Sequence, residues 1–275
     1  MSRHIPRTTV ALSTRFKEVL PTALLALLAS LLVLMSSAGQ STITWRGDFE
    51  TGDLSQWTAV QAKDPSRVTI QSDVVRQGRY ATRFEVRPGD NNVAGSGTGE
   101  RAQVYIGNVL TDWAEGREQY WAWSTYIPPD FTAPMGGWNA FVGFHHTGTT
   151  GPGNIQFDVR DMSRIGLRVM GGASNNPIRK DYRLAPLRKG RWYDFVLHIR
   201  WSSHPKVGFV EVWVNGSRVV PKTITPTLYV GQGVYLKMGY YRSAYSKRTV
   251  IYHDGMRRGP TLADVADWAR AFDQE

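Results

Sequence analysis

Cysteine is absent from the 275 residues, which excludes disulfides, a lipidated cysteine and thiolate metal sites. Stability must therefore come from a packed core, with at most an ion to help. Acidic residues are in the minority: 23 Asp and Glu stand against 33 Lys and Arg, for a formal net charge of +10. Such a chain suits a polyanionic partner. Pro/Ser-rich linkers, composition breaks and internal repeats are missing between Thr42 and Tyr252, which favours one domain. Long runs of helix-forming residues are scarce as well. What remains is 41% hydrophobic, too apolar for a disordered chain.

One long apolar run exists, from Val19 to Met35. Arg3, Arg7, Arg15 and Lys17 precede it, and Ser36, Ser37, Ala38 and Gly39 follow. This is the layout of a secretory signal peptide over residues 1–39. A retained N-terminal anchor is the alternative, because the run approaches the roughly 20 residues that span a bilayer. Pro21 interrupts the run and small residues close it, which favours cleavage. In either case residues 40–275 are expected to be exported: secreted, extracellular, and without stable membrane insertion once the leader is gone. Loss of 1–39 removes four basic residues and one acidic one, leaving a formal charge of +7.

The exported part is rich in Trp (10 in the chain), Tyr (12) and Gly (27). Aromatics fill pleated surfaces and glycines turn corners, so an all-β fold is expected. Short β-like segments recur at Arg101–Ile106, Tyr120–Ile127, Ala140–His145, Ile155–Arg160, Ile165–Met170, Trp192–Trp201, Phe209–Val214, Tyr235–Tyr241 and Thr249–His253. Their spacing predicts a β-sandwich or jelly roll. Asn215-Gly216 between Phe209–Val214 and Val219-Val220 predicts a tight hairpin. Near the carboxyl end, Leu262, Val265, Ala266, Ala269 and Phe272 follow Pro260 at helical spacing. They predict a short amphipathic helix on the outside of the sandwich.

Alternate residues of a strand share a face. Arg101, Gln103 and Tyr105 therefore point one way and Ala102, Val104 and Ile106 the other. Likewise Tyr235, Lys237, Gly239 and Tyr241 oppose Leu236, Met238 and Tyr240, with Lys237 and Tyr241 about 13 Å apart along the strand. Three constellations could carry chemistry: Arg101 with Gln103, the pair His145-His146, and Lys237 with Tyr241. Taken singly, each has an ordinary reading: a solvated or paired arginine, histidines in routine hydrogen bonds, a tyrosine in the core.

Together they resemble a family. Gly99-Glu100-Arg101-Ala102-Gln103-Val104, Phe144-His145-His146 and Tyr235-Leu236-Lys237-Met238-Gly239-Tyr240-Tyr241 are similar, in the same order, to the three motif strands of jelly-roll polysaccharide lyases. These include alginate lyases, glucuronan lyases and the heparin lyase I type. The last block is the most specific: the alginate lyases carry Tyr-Phe-Lys-Ala-Gly-x-Tyr, matched here at Tyr235, Lys237, Gly239 and Tyr241. Four further blocks resemble the heparin lyase I and glucuronan lyase side: Phe49-Glu50-Thr51-Gly52-Asp53-Leu54, Gly190-Arg191-Trp192-Tyr193-Asp194, Val210 to Gly216, and Tyr252-His253-Asp254-Gly255. The resemblance spans roughly Asp48 to Gly259. It implies a concanavalin A-like β-sandwich, the β-jelly roll.

The activity implied is β-elimination on a uronic-acid-containing acidic polysaccharide. A base removes the C5 proton, whose acidity is low unless the adjacent carboxylate is neutralised and the developing enolate-like charge is stabilised. By the resemblance, Arg101 binds the carboxylate as a planar fork. His145 neutralises it or acts as base, and Tyr241 exchanges protons with C5 or the leaving oxygen. Lys237 holds the polymer, with Gln103, His146 and Arg242 as further binding residues. A tyrosine with an ordinary pKa of about 10 needs adjacent cations to serve as base; Arg101, Lys237 and Arg242 are candidates. One departure stands out. The family usually has Gln two residues before the motif histidine, where this chain has Gly143; Gln103 or His146 could take its place.

The chemistry requires no cofactor. Glu50 and Asp254 lie in end segments that such sandwiches often bring together, and would suit a structural calcium or, equally, cap a turn. Two other functions compete. A non-catalytic acidic-glycan-binding module could use the same basic, aromatic groove. A jelly-roll glycoside hydrolase would need two facing carboxylates, for which Asp158 and Glu211 are isolated candidates. No helical reading element supports nucleic-acid binding.

Overall fold

The computed structural model describes Met1 and residues 42–91, 99–107, 115–148 and 151–270, with side chains to 266; the rest of the leader segment 1–39 and Phe272 lie outside these. Two antiparallel sheets face each other. The first runs β13 (Ser217–Ile224), β12 (Phe209–Val214), β11 (Arg191–Arg200), β6 (Glu118–Ile127), β15 (Thr249–Gly259), β4 (Ala81–Val86), β3 (Val68–Gln71), with β1 (Trp45–Gly47) also on β15. The second runs β10 (Ile178–Pro186), β9 (Arg164–Gly171), β8 (Ile155–Arg160), β7 (Asn139–His146), β14 (Val234–Arg242), β5 (Glu100–Ile106), β2 (Ala59–Ala62). This is the β-jelly roll that the sequence predicts.

The core is the layer where the inward faces meet. Trp121 and Trp123 of β6 reach across the sandwich, Trp121 edge-on to Phe144 of β7 at 5.0 Å and Trp123 edge-on to Phe157 of β8 at 4.8 Å. All four are at most 1% exposed. Burying an aromatic or large aliphatic side chain contributes about 1.5–3 kcal/mol, so this layer, rather than any crosslink, holds the cysteine-free chain together. Between those two tryptophans, Ala122 faces the opposite way. With Val196 it packs against Val265 and Ala266 of the helix α1 (Leu262–Arg270). The helix thus covers the outside of the first sheet, as its spacing predicts.

The expected hairpin is formed, with Asn215 and Gly216 at φ 49° and 77°. Another glycine matters for the site. Gly239 sits on β14 at φ 139°, where a Cβ would stand 2.3 Å from the Ala102 carbonyl oxygen. The β14–β7 register shifts by one residue between Met238 and Tyr241, a bulge that re-aims the strand end. The Gly239 carbonyl lies 3.0 Å from Nε2 of the fully buried His253 on β15, so the opposite sheet pins this bulge.

Candidate active site

The outer face of the second sheet carries a groove of about 730 Å³. Three neighbouring strands supply its floor, although β14 follows β5 by more than a hundred residues in the chain. Arg101 and Gln103 come from β5, Tyr235, Lys237 and Tyr241 from β14, and His145 from β7. Cross-strand pairing sets Tyr241 opposite Arg101, and Tyr235 opposite His145. The period of two therefore does what the sequence implies: one face of each strand is core and the other faces the groove.

The side chains constrain one another closely. The Arg101 guanidinium carbon lies 4.2 Å from the centroid of the Tyr241 ring, a cation–π contact. Trp138 also tilts against Tyr241, at 5.9 Å. The His145 ring stacks on His146 at 4.6 Å and leans on Tyr235 at 5.5 Å. Its Nδ1 is 3.0 Å from the His146 backbone oxygen. A carbonyl only accepts, so Nδ1 carries the proton and Nε2 presents a lone pair. Burial, reinforced by the charges of Lys237, His146 and Arg101, pulls the His145 pKa down to about 4. The ring is thus neutral near pH 7. Lys237 is drawn down to about 8, first by burial and then by Arg101, and keeps most of its charge there.

Gly143 forms the floor between Lys237 and Gln156, its partners on β14 and β8. A Cβ at this position would lie 2.8 Å from the Ile155 carbonyl oxygen, so the backbone leaves no room for a larger residue. Of its possible substitutes, Gln103 lines the groove, with its buried Oε1 lacking a hydrogen-bond partner. His146 does not line it. It is 1% exposed, its ring edge-on to Tyr229 and its Nε2 3.2 Å from the Gly151 oxygen. Arg242 is also elsewhere: fully buried, it pairs with Glu100 at 2.8 Å and bonds Thr249. Both follow a groove residue directly, so the pleat turns them to the opposite face.

Three groove residues escape the sequence reading: Trp138, 41% exposed at the rim, and Gln156 and Arg168 on β8 and β9. An exposed Trp after Gly136-Gly137 is a readable hint of a sugar-stacking surface. The other two need the sheet register to be recognised. No Asp or Glu lines the main groove among the described residues. Asp158 is bound to Arg160 at 2.8 Å on β8, whereas Glu211 belongs to the other sheet and bonds His198. The two carboxylates a glycoside hydrolase needs do not face each other.

Glu50 and Asp254 converge on the same loop. Glu50 accepts the backbone N–H groups of Arg79 and Tyr80, and Asp254 Oδ2 those of Arg76 and Gln77. Asp254 Oδ1 is buried with no hydrogen-bond partner. Burial, then the charges of Glu50 and Asp48, raise the Asp254 pKa to about 7. That unpartnered oxygen, close enough to Glu50 and Asp48 to feel their charges, fits a hard cation such as calcium, whereas the Glu50 oxygens are already engaged. Among the described residues no group of three or more His, Cys, Asp and Glu could hold a metal by side chains alone, and no helix is long and apolar enough to cross a membrane.

A family model described as polysaccharide lyase matches residues 49–257. Among solved structures, the endo-β-1,4-glucuronan lyase of the fungus Trichoderma reesei is 19% identical, with a TM-score of 0.65 over 82% of this chain and 98% of its own. The alginate lyase A1-II′, of polysaccharide lyase family 7, is 14% identical, with a TM-score of 0.50 over 71% and 84%. The cellulose-induced protein Cip1 is also 14% identical, with a TM-score of 0.51 over 78% and 97%. At these identities the likeness is one of fold. No curated protein sequence matches the chain. The family match covers the jelly roll except β1 and the last two residues of β15, including every strand that floors the basic groove, and the chain accordingly belongs to the polysaccharide lyases.

Proposed function

We propose that the polysaccharide cleaved is a polymer containing uronic acid, and that cleavage proceeds by β-elimination in the β5–β14–β7 groove. Arg101 and Lys237 bind and neutralise the carboxylate beside C5, which makes the C5 proton removable. Nε2 of His145 takes that proton. The electron pair left on C5 forms the C4–C5 double bond as the C4–O bond breaks, and the Tyr241 hydroxyl gives its proton to the departing oxygen. Gln103 offers an amide to the same carboxylate, and Trp138 a flat face to a sugar ring.

One observation carries this reading. In a groove with no lining carboxylate among the described residues, the histidine has one nitrogen tied to a carbonyl and the other bare, kept neutral by burial and, after it, by the neighbouring cations. An exported setting fits the leader layout of residues 1–39, and a structural calcium at Asp254 fits its unpartnered oxygen.

The test uses protein lacking residues 1–39 on a panel of acidic polysaccharides, with Tyr241→Phe as control. The expected result is a rise in ultraviolet absorbance from the new double bond on at least one uronate polymer, lost in Tyr241→Phe. Reducing ends released without that chromophore would refute the elimination chemistry.

A further inference from the structure

The groove continues past its reacting centre. Lys237 on β14 pairs with Gly143 on β7, Gly143 with Gln156 on β8, and Gln156 with Arg168 on β9. These four residues make one row across the sheet. At about 4.8 Å per strand, Lys237 and Arg168 stand roughly 14 Å apart at the backbone, wider than one sugar ring. Arg168 also lines a second hollow of about 260 Å³, which shares Trp138 and Gln156 with the main groove. The two hollows are therefore one continuous surface.

The arginines around the second hollow differ in their commitments. Arg160 pairs with Asp158 and with Asp181, each at 2.8 Å, and Arg179 pairs with Asp181 at 2.6 Å. Arg168 has no carboxylate within ion-pair distance among the described residues. Its Nη2 donates to Gln156 Oε1 at 2.6 Å, and its Nε is buried with no hydrogen-bond partner. A buried guanidinium N–H left without an acceptor is costly, and a planar fork of donors matches a carboxylate. Gln156 fixes one corner of the fork while leaving the rest available.

We propose that Arg168, oriented by Gln156, is a second anion subsite that binds the carboxylate of a sugar unit other than the one that reacts. This inference rests on the uronate reading above and narrows it. The substrate is a run of successive uronates rather than a chain in which acidic and neutral sugars alternate. Lys237 and Arg168 then read two carboxylates of one strand, with Gly143 giving the sugar between them a bare floor.

Binding separates the two ideas. Tyr241→Phe protein is titrated with oligouronates of increasing length, and with a matched series in which uronate alternates with a neutral sugar. Affinity is expected to step up once the oligouronate is long enough to reach β9, by about 10-fold for one charge-assisted contact. The step should disappear in Tyr241→Phe/Arg168→Gln, return in part with Arg168→Lys, and be absent from the alternating series. Melting temperatures check that each variant is folded. A step of equal size in folded Arg168→Gln protein, or in the alternating series, overturns the subsite. Failure of the uronate reading looks different: no oligouronate of any length binds, and unmodified protein yields no unsaturated product.

Discussion

Arg101 and Tyr241, opposite each other on adjacent strands, are held in contact: the guanidinium carbon lies over the phenol ring, 4.2 Å from its centroid. Arginine can make this contact because its cation is flat and delocalised, and a lysine ammonium cannot reproduce both the stack and the two-pronged grip on a carboxylate. The same side chain therefore sets the tyrosine and holds the substrate. Arg101→Lys is expected to lower kcat/KM on the preferred uronate polymer by about 100-fold, the scale seen when one preorganised donor is removed. Steady-state kinetics with a melting curve check it. A loss of only two- or three-fold would mean that the stack is packing and nothing more.

The pH profile follows from two displaced groups. His145, drawn down to about 4, is a competent base once pH rises above that value. Lys237, drawn down to about 8, loses its charge as pH passes that value. The kcat/KM profile should be a bell with limbs near 4 and 8, and Lys237→Arg should move the alkaline limb upward. An unmoved limb would assign it to another group.

Stability should respond to Lys237 in the opposite sense. Its folded pKa lies below the unfolded value of 10.5, so the folded state disfavours the charge. The penalty is full below about pH 8 and fades as pH rises towards 10.5. Lys237→Met is thus expected to lose activity yet melt roughly 2–4 °C higher at pH 7, the shift that about 1 kcal/mol produces in a domain of this size. Its advantage should shrink by pH 10. A melting temperature below that of the unmodified protein at pH 7 would contradict the electrostatic account.

Much of this was readable because strands have a period of two and a tight turn has its own chemistry. Tyr235, Lys237 and Tyr241 face the groove as their parity dictates, and Asn215-Gly216 turns the hairpin where it should. Parity also explains why Arg242 and His146 stand apart: adjacency in sequence is opposition in a strand. Strand β10 was not legible, since its run of charged residues is largely exposed and gives no hydrophobic alternation to detect. The Gln156–Arg168 pair was hidden for another reason. Its position beside Gly143 depends on which strands neighbour one another and in what register, and neither is written in local sequence.

Gly143 offers a test of that register. Placing Gln there restores the residue usual in related lyases, yet its Cβ would meet the Ile155 carbonyl oxygen at 2.8 Å. Backbone cannot swing aside as a side chain can, and overpacking of this kind costs about 1–3 kcal/mol. Gly143→Gln is expected to lower the melting temperature and to reduce activity. A variant that melts normally and turns over faster would show that β7 and β8 are further apart than their pairing implies.

Asp254 links the ends of the described chain to its stability. Raised to about 7 by burial and by the charges of Glu50 and Asp48, its carboxyl is disfavoured as an anion in the folded state. Without a bound cation, its contribution to stability should decline as pH climbs from about 4 through 7. Asp254→Asn keeps an acceptor for the N–H groups of Arg76 and Gln77 while removing the charge. In chelator-treated protein at pH 8 the variant should therefore melt several degrees above the unmodified chain, and the gap should close near pH 4. Calcium should reverse that order by engaging the unpartnered Oδ1, raising the melting temperature of the unmodified protein and leaving Asp254→Asn unmoved. Equal calcium responses in both proteins would detach the ion from Asp254; no response in either would leave the carboxyl as a loop cap alone.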